Sequence, residues 1–273
     1  MKHRKIRRQA WLAALISTAS LMPQVVNATI VEFQTVMGNF QVNLYDNSTP
    51  ATVTNFLAYV NNGDYTSSVF HRSVAGFVVQ GGGFVYNQAL PLDQVPTRPA
   101  VVNEPVFSNV RGSIAMAKLG GDANSATSQW FFNLSNNAAN LDGQNGGFTV
   151  FGEVVGDGMD VVDAIAALPV FNFAGATSEI PLRDYTATDF NNGVPVDETN
   201  LVIINAIIVS DSTVDSAAGL NPPLTTNQPN PPGNGGGGGG GGGAFGFLSL
   251  LGLLLAVPHL AGRWSSRRNN RSS

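Results

Sequence analysis

From Ile30 to Tyr45 apolar side chains recur at alternate positions, most clearly at Phe40, Val42 and Leu44. Period two is the spacing of a strand, so this stretch predicts a strand pair turning at Met37-Gly38-Asn39. The spacing then changes. Val53, Phe56, Leu57 and Val60 stand at i, i+3, i+4 and i+7, after Ser48-Thr49-Pro50 and before Gly63. That predicts a helix capped at Thr49 or Ser48, with Pro50 in its first turn and Gly63 at its end. Its apolar stripe is core rather than a binding surface.

The rest of the chain reads as short strands between polar loops. Tyr65 to Phe84 is strand-like, rich in Val and Phe and broken by glycines. Gln88 to Val106 is a surface loop, and Arg111 to Lys118 a short strand. Gly120 to Thr127 is a loop, and Ser128 to Leu134 a strongly apolar strand. Asn136 to Gly147 is a long polar loop, and Phe148 to Val155 a strand ending at Gly156. Met159 to Leu168 predicts a second helix, with Val161, Val162, Ile165 and Leu168 on one side and Pro169 stopping it. Phe171 to Asn200 reads as irregular, and Leu201 to Val209 as a buried closing strand. Many short strands, two helices and no βαβ rhythm predict a mainly β protein built as an antiparallel barrel.

Both ends break this pattern. Residues 1–28 have a basic segment to Arg8, an apolar stretch from Ala10 to Met22, and Val26-Asn27-Ala28. This predicts a secretory signal peptide cleaved after Ala28. The globular domain is expected over 29–213 and a Pro/Asn/Gly-rich linker over 214–243, extended from Pro222 to Asn234 and ending in the glycine run Gly235 to Gly243. Residues 244–273 open with an apolar run to Gly262, just long enough for a membrane span, and close with Arg263, Arg267, Arg268 and Arg271. The arginines favour the cytoplasmic side, which places the body across the membrane from them.

Charge sharpens that division. Of 14 basic side chains, only Arg72, Arg98, Arg111, Lys118 and Arg183 lie between the two ends, whereas all 18 acidic ones lie between Glu32 and Asp215. So acidic a body repels phosphate backbones and argues against nucleic-acid binding. The chain has no cysteine, and its body has one histidine, His71. Disulfides and thiolate chemistry are excluded, and a zinc site lacks ligands. No cofactor and no metal are expected.

The candidate chemistry is concentrated in Phe70 to Phe84, FHRSVAGFVVQGGGF. One arginine among phenylalanines and valines suggests an apolar groove with a single donor-rich group directed into it. FHRSVAGFVVQGGGF resembles the FHR-x-x-x-GF-x-x-QGG signature of the cyclophilins, especially the bacterial periplasmic type. Three further stretches follow in that family's order: RGSIAMAK, SATSQWFFN, and Leu141-Asp142-Gly143 with Phe148-Thr149-Val150-Phe151-Gly152. The resemblance covers Thr29 to Val209. It implies a closed eight-stranded antiparallel β-barrel capped by two α-helices, and a peptidyl-prolyl cis-trans isomerase acting on proline-containing polypeptides.

By the same resemblance Arg72 is the catalytic donor, and Phe77, Met116, Phe131 and Leu141 line a proline pocket. Gln80 contacts the substrate backbone and steadies the arginine, Gln129 and the backbone of Ala117 form the adjoining rim, and Phe148 completes the substrate-binding set. His71 is expected to be structural, because rotation about a peptide bond moves no proton. The alternative is a module that binds proline segments without useful turnover. The sequence departs from the family at Asn140, which stands where tryptophan or phenylalanine is usual, and at Val78, Lys118, Phe148 and Trp130. The loop Gln144-Asn145-Gly146-Gly147 also looks rearranged. Glycine run, apolar helix and arginine tail resemble the GlyGly-CTERM sorting signal, which implies transient membrane contact and a rhomboid-type processing protease. The expected state is a monomer on the periplasmic or cell-surface side of a Gram-negative bacterium.

Overall fold

The computed structural model describes residues 29–212 and 220–226. The signal peptide expected at 1–28 and the glycine tract, apolar run and arginine tail within 227–273 lie outside the described residues. Among the described residues no helix is long and apolar enough to cross a membrane.

The opening hairpin forms as its alternation requires. β1 (Ile30–Thr35) and β2 (Gly38–Leu44) pair antiparallel from Ile30↔Asn43 to Thr35↔Gly38. Val36 and Met37 make the turn, one residue earlier than the sequence predicts, and Gly38 enters the second strand at φ 124°. Helix α1 (Pro50–Asn62) ends at Gly63 in the left-handed conformation, φ 73°, as read from the sequence. Its start is held differently. Thr49 makes no side-chain cap; instead the Glu104 carboxylate accepts from Ala51 N at 3.2 Å and Thr52 N at 2.9 Å. A carboxylate there satisfies free N–H groups and faces the positive end of the helix dipole.

Five short strands follow: β3 (Ser68–Val69), β4 (Arg72–Val74), β5 (Val78–Gly81), β6 (Phe84–Val85) and β7 (Asp93–Gln94). Then come β8 (Ser113–Met116), β9 (Trp130–Asn133), the single turn α2 (Ala138–Leu141), β10 (Val150–Val155) and helix α3 (Gly158–Ala166). The stretch expected to be irregular contains β11 (Val170–Phe171) and β12 (Ile180–Pro181), a two-stranded sheet, and the short helix α4 (Ala187–Asn191). β13 (Ile203–Asp211) closes the domain against β1.

The expected closed eight-stranded barrel is corrected to a curled, mainly β sheet of 11 strands, in the order β4-β5-β9-β8-β10-β2-β1-β13-β3-β6-β7. The reason lies at Phe70-His71, where the run from Ser68 to Val74 divides. β3 pairs with β13 and β6, whereas β4 pairs with β5. Between them Phe70 N donates to Val202 O and His71 N to Gln80 O, both at 3.1 Å. One run of chain thus reaches both halves of the order, curling the sheet while its strand pairing keeps two ends.

Successive residues on a strand face opposite sides, and this divides the apolar residues of β5, β8 and β9. Val79, Ile114, Met116, Trp130 and Phe132 enter the main core with Phe33, Phe40, Phe56 and Phe151. Val78, Ala115, Ala117 and Phe131 enter a second cluster on the other face, with Tyr45, Phe107, Leu141, Phe148 and Val150. A third cluster, including Val69, Phe84, Ile180, Leu182 and Tyr185, lies under the segment after α3.

Candidate active site

Arg72 lies in β4 directly opposite Gln80 in β5 and is almost fully buried. Its Nε donates to Glu179 Oε2 at 2.7 Å, and its Nη1 donates to Gln80 Oε1 at 3.3 Å. Gln80 Nε2 in turn donates to Gln129 Oε1 at 2.8 Å. The segment carrying Glu179 is fastened beside β4, since Ser73 N donates to Glu179 O at 2.8 Å. A guanidinium offers five N–H groups in a rigid plane, and only two are engaged here among the described residues. The group is fixed on one side and free to donate on the other.

Beside it lies the second apolar cluster. Of the expected pocket residues, Phe77, Ala117, Phe131, Leu141 and Phe148 come together there. The Phe131 and Phe148 rings meet edge to face, with centroids 5.9 Å apart. Phe77 sits in the β4–β5 turn, where its carbonyl accepts from Leu134 N and Asn137 Nδ2, both at 2.9 Å. Ala117 N donates to Gln129 O at 2.9 Å, which joins the two sides of the rim. A neighbouring cavity of about 170 Å³ is lined by Gln80, Ala117, Lys118 and Gln129 together with Val95 and Thr97.

Met116 is the exception. It is fully buried in the main core beside Ile114 and Trp130, on the face away from the pocket cluster. Period two decides this: Ala117 and Met116 are consecutive in an extended run, so only one of them faces the site.

The glycines after Gln80 are required by Trp130. A Cβ on Gly81 would lie 2.6 Å from the indole, and one on Gly82, at φ 75°, would lie 2.5 Å from its Nε1. The chain therefore lies directly on the ring, and any side chain would lift the Gln80 end of β5 away from Arg72.

His71 lies beside the arginine but faces inward, its ring meeting Phe84 edge to face at 4.8 Å. Complete burial, helped by the neighbouring Arg72 charge, lowers its pKa to about 3. It is a neutral packing residue at physiological pH, as its sequence context suggested. Lys118 reaches the opposite rim, where Nζ donates to Asn145 O at 2.9 Å and to Gly147 O, and lies 4.7 Å from the Phe148 ring centroid. Burial brings its amine down to about 8, against the opposing pull of Asp122. This lysine pins the altered 144–147 loop, in which Asn145, Gly146 and Gly147 all have positive φ.

The residue that the sequence reading did not single out is Glu179. It stands 107 positions after Arg72, in a segment without strand or helix periodicity, and nothing in its spacing marks it. A single signal was available: a body with five basic residues, one of them among phenylalanines, needs a nearby carboxylate to hold it.

The family model of the cyclophilin-type peptidyl-prolyl cis-trans isomerases matches residues 30–187, more than half of the chain. The chain belongs to that family. Curated cyclophilin relatives agree along most of their own length. A peptidyl-prolyl cis-trans isomerase of Acinetobacter baylyi is 39% identical over 154 residues, covering 56% of this chain and 79% of that protein. Peptidyl-prolyl cis-trans isomerase A of Dickeya dadantii is 39% identical over 180 residues, covering 63% and 91%. Peptidyl-prolyl cis-trans isomerase B of Escherichia coli is 38% identical over 161 residues, covering 57% and 94%. Within this cyclophilin Asn140 is exposed and Lys118 holds the 144–147 loop, whereas Arg72, Gln80 and Phe131 are buried.

Proposed function

We propose that this cyclophilin accelerates X-Pro rotation in exported polypeptides, with Arg72 stabilising the twisted transition state at the edge of the apolar pocket. The observation that carries this reading is a nearly buried guanidinium, fixed by Glu179 and Gln80, beside the cluster of Phe77, Phe131, Leu141 and Phe148.

Peptide-bond rotation meets a barrier of about 18–20 kcal/mol because resonance gives the C–N bond double-bond character. For X-Pro, spontaneous exchange takes roughly 10–100 s at room temperature. At the twisted geometry resonance is lost and the prolyl nitrogen regains a basic lone pair. A guanidinium N–H can donate to that nitrogen only then, so the bond is stronger in the transition state than in the ground state, the condition for catalysis. Millisecond turnover asks for about 5–7 kcal/mol, at about 1.36 kcal/mol per tenfold. The apolar cluster contributes by excluding water, which strengthens the single donor. The step transfers no proton and makes no covalent bond.

A protease-coupled assay on an Ala-Pro tetrapeptide tests the proposal. Wild-type chain is expected to turn the peptide over, and Arg72→Ala to lose about 100- to 1,000-fold, the usual cost of one transition-state donor. Equal turnover in the two chains would remove Arg72 from the mechanism. Binding without turnover in the wild type would make the chain a proline-segment binding module.

Export is the second part of the proposal. It rests on the basic and apolar pattern of residues 1–28 and on the glycine run, apolar segment and arginine tail at the other end. Intact mass of the protein recovered from its producing cell is expected to show loss of residues 1–28. It is also expected to show loss of the arginine tail if the C-terminal segment is a sorting signal. A mature chain ending at Ser273 would make that segment a retained anchor.

A further inference from the structure

Part of the segment expected as linker returns to the domain and lies against the Val106–Ser108 edge. Ser108 N donates to Pro223 O at 2.8 Å and Thr225 N to Val106 O at 3.0 Å, around an antiparallel bridge between Phe107 and Leu224. Ser108 Oγ also lies 3.3 Å from Leu224 O. At this bridge Leu224 is 63% exposed, whereas Thr225 beside it is buried. Leu220 is half-buried and packs on the cluster that runs from Tyr45 and Phe107 to Phe131, Leu141 and Phe148.

The Ser108 edge is itself tied to the pocket wall. Ser108 Oγ donates to Asp142 Oδ2 at 2.6 Å and Asn109 N to Asp142 Oδ1 at 2.8 Å, and Asp142 directly follows Leu141. The same edge therefore receives the strap and positions a pocket residue. Phe131 and Leu141 are 0% exposed although they belong to the cluster expected to receive a proline.

The occupying sequence, Leu220-Asn221-Pro222-Pro223-Leu224-Thr225, is an extended segment with two prolines. Pro222 and Pro223 carry no N–H, so these two residues add no amide donor that needs a partner, and Pro223 still offers its carbonyl to the edge.

We propose that residues Leu220–Thr225 are an intramolecular ligand of the isomerase groove. This strap pairs with Val106–Ser108 and places Leu220 over the proline pocket, so an incoming client segment must displace it. The inference deepens the isomerase reading and rests on it for the identity of the pocket. The physical consequence is competition at high effective concentration, because the strap and its groove are on one chain. Client affinity is reduced by the fraction of time the groove is open. Short or weakly binding segments would be rejected, and those with a proline in a long apolar context favoured.

Two measurements on the full chain test this. Calorimetric affinity for an Ala-Pro tetrapeptide is compared between wild type and Leu220→Ser/Thr225→Pro, which removes the plug and one strand hydrogen bond. Affinity is expected to rise about fivefold, the factor for a groove open roughly one-fifth of the time. Equal or weaker affinity in the variant would overturn the proposal, since the segment would then be inert or a wall of the groove. The second uses wild type alone, with ¹³C-labelled leucine methyls observed by NMR. Leu220 methyls packed on phenylalanine rings are expected to be ring-shifted and to move to solvent-exposed values as the peptide is added. Leu220 signals that stay fixed while the peptide binds would overturn it, as would absence of peptide binding to either chain. Peptide binding without isomerase turnover would defeat the catalytic reading and leave the strap standing.

Discussion

The two faces of β8 and β9 differ by one residue in the chain and by function in the molecule. On the inner face, Ile114, Met116, Trp130 and Phe132 pack into the main core, with Trp130 meeting Phe33, Phe70 and Phe132 edge to face. On the outer face, Ala115, Ala117 and Phe131 supply two small residues and one ring to the site cluster. Ala115 and Phe131 are as buried as the inner residues, and Ala117 also lines the neighbouring cavity, so under the proposed function the outer face is the one that meets a ligand. The same strands hold the scaffold rigid and shape the groove. A substitution is expected to act on stability or on binding according to its parity.

The largest expected effect breaks that comparison at one strand step. Met116→Ala should destabilise the fold by about 2–5 kcal/mol, the cost of emptying a packed core position, with turnover per folded molecule little changed. Phe131→Ala should instead weaken Ala-Pro peptide affinity by about tenfold or more, the scale of a buried aromatic anchor. Thermal melts and calorimetry on the same two proteins separate the outcomes. Unchanged peptide affinity in Phe131→Ala together with weakened affinity in Met116→Ala would reverse the assignment of faces.

Next in size is the acid response of the inward-facing His71. Its pKa in the fold, about 3, lies below the 6.5 of a free histidine. The unfolded chain therefore takes up a proton first, and this part of the stability is present above pH 6.5 and lost as pH falls toward 3. The slope is up to about 1.4 kcal/mol per pH unit. Denaturant midpoints between pH 6.5 and 5, above the carboxylate range, should fall in the wild type and stay flatter in His71→Leu. A flat wild-type profile would mean that His71 is solvated.

Smaller still, and directed at the charged edge, is Glu179→Gln. Glu179 accepts from Arg72 Nε and, under the proposed mechanism, would act by positioning it. Loss of its charge should lower kcat by about tenfold, or about 1.4 kcal/mol, with KM nearly unchanged. Glu179→Asp should recover part of the loss. An equal drop in melting temperature in both variants, with kcat unmoved, would reduce Glu179 to an ordinary ion pair.

What the sequence made legible follows from locality. The β1–β2 hairpin and the limits of α1 are written in neighbouring residues, and both formed within a residue or so of expectation. The motif around Arg72 holds Arg72, Phe77 and Gln80 close together in sequence, and the structure keeps them on and between adjacent strands, whereas Phe131 and Leu141 join them from later motifs. Met116, expected in the pocket, belongs to the core instead; the unused signal was parity, since Met116 and Ala117 are consecutive in an extended run and face opposite sides. What could not be read depends on distant chain segments meeting. Glu104 reaches the start of α1, Glu179 reaches Arg72, and residues 220–225 return to Val106–Ser108. None of these has a spacing, and the last lay in a stretch whose composition suggests only extension. The division of Ser68–Val74 at Phe70-His71 was equally hidden, because Val and Phe continue through it without interruption.

The central claim is that Arg72 acts on the twisted amide and little on the bound ground state. Longitudinal (zz) exchange NMR of an Ala-Pro tetrapeptide on wild type and Arg72→Ala, with affinity fitted in the same titration, tests it most directly. The account predicts an on-enzyme exchange rate lower by about 100-fold or more while the dissociation constant changes less than about threefold. Exchange that slows only in proportion to lost affinity would contradict it, because Arg72 would then be holding the substrate rather than lowering the barrier.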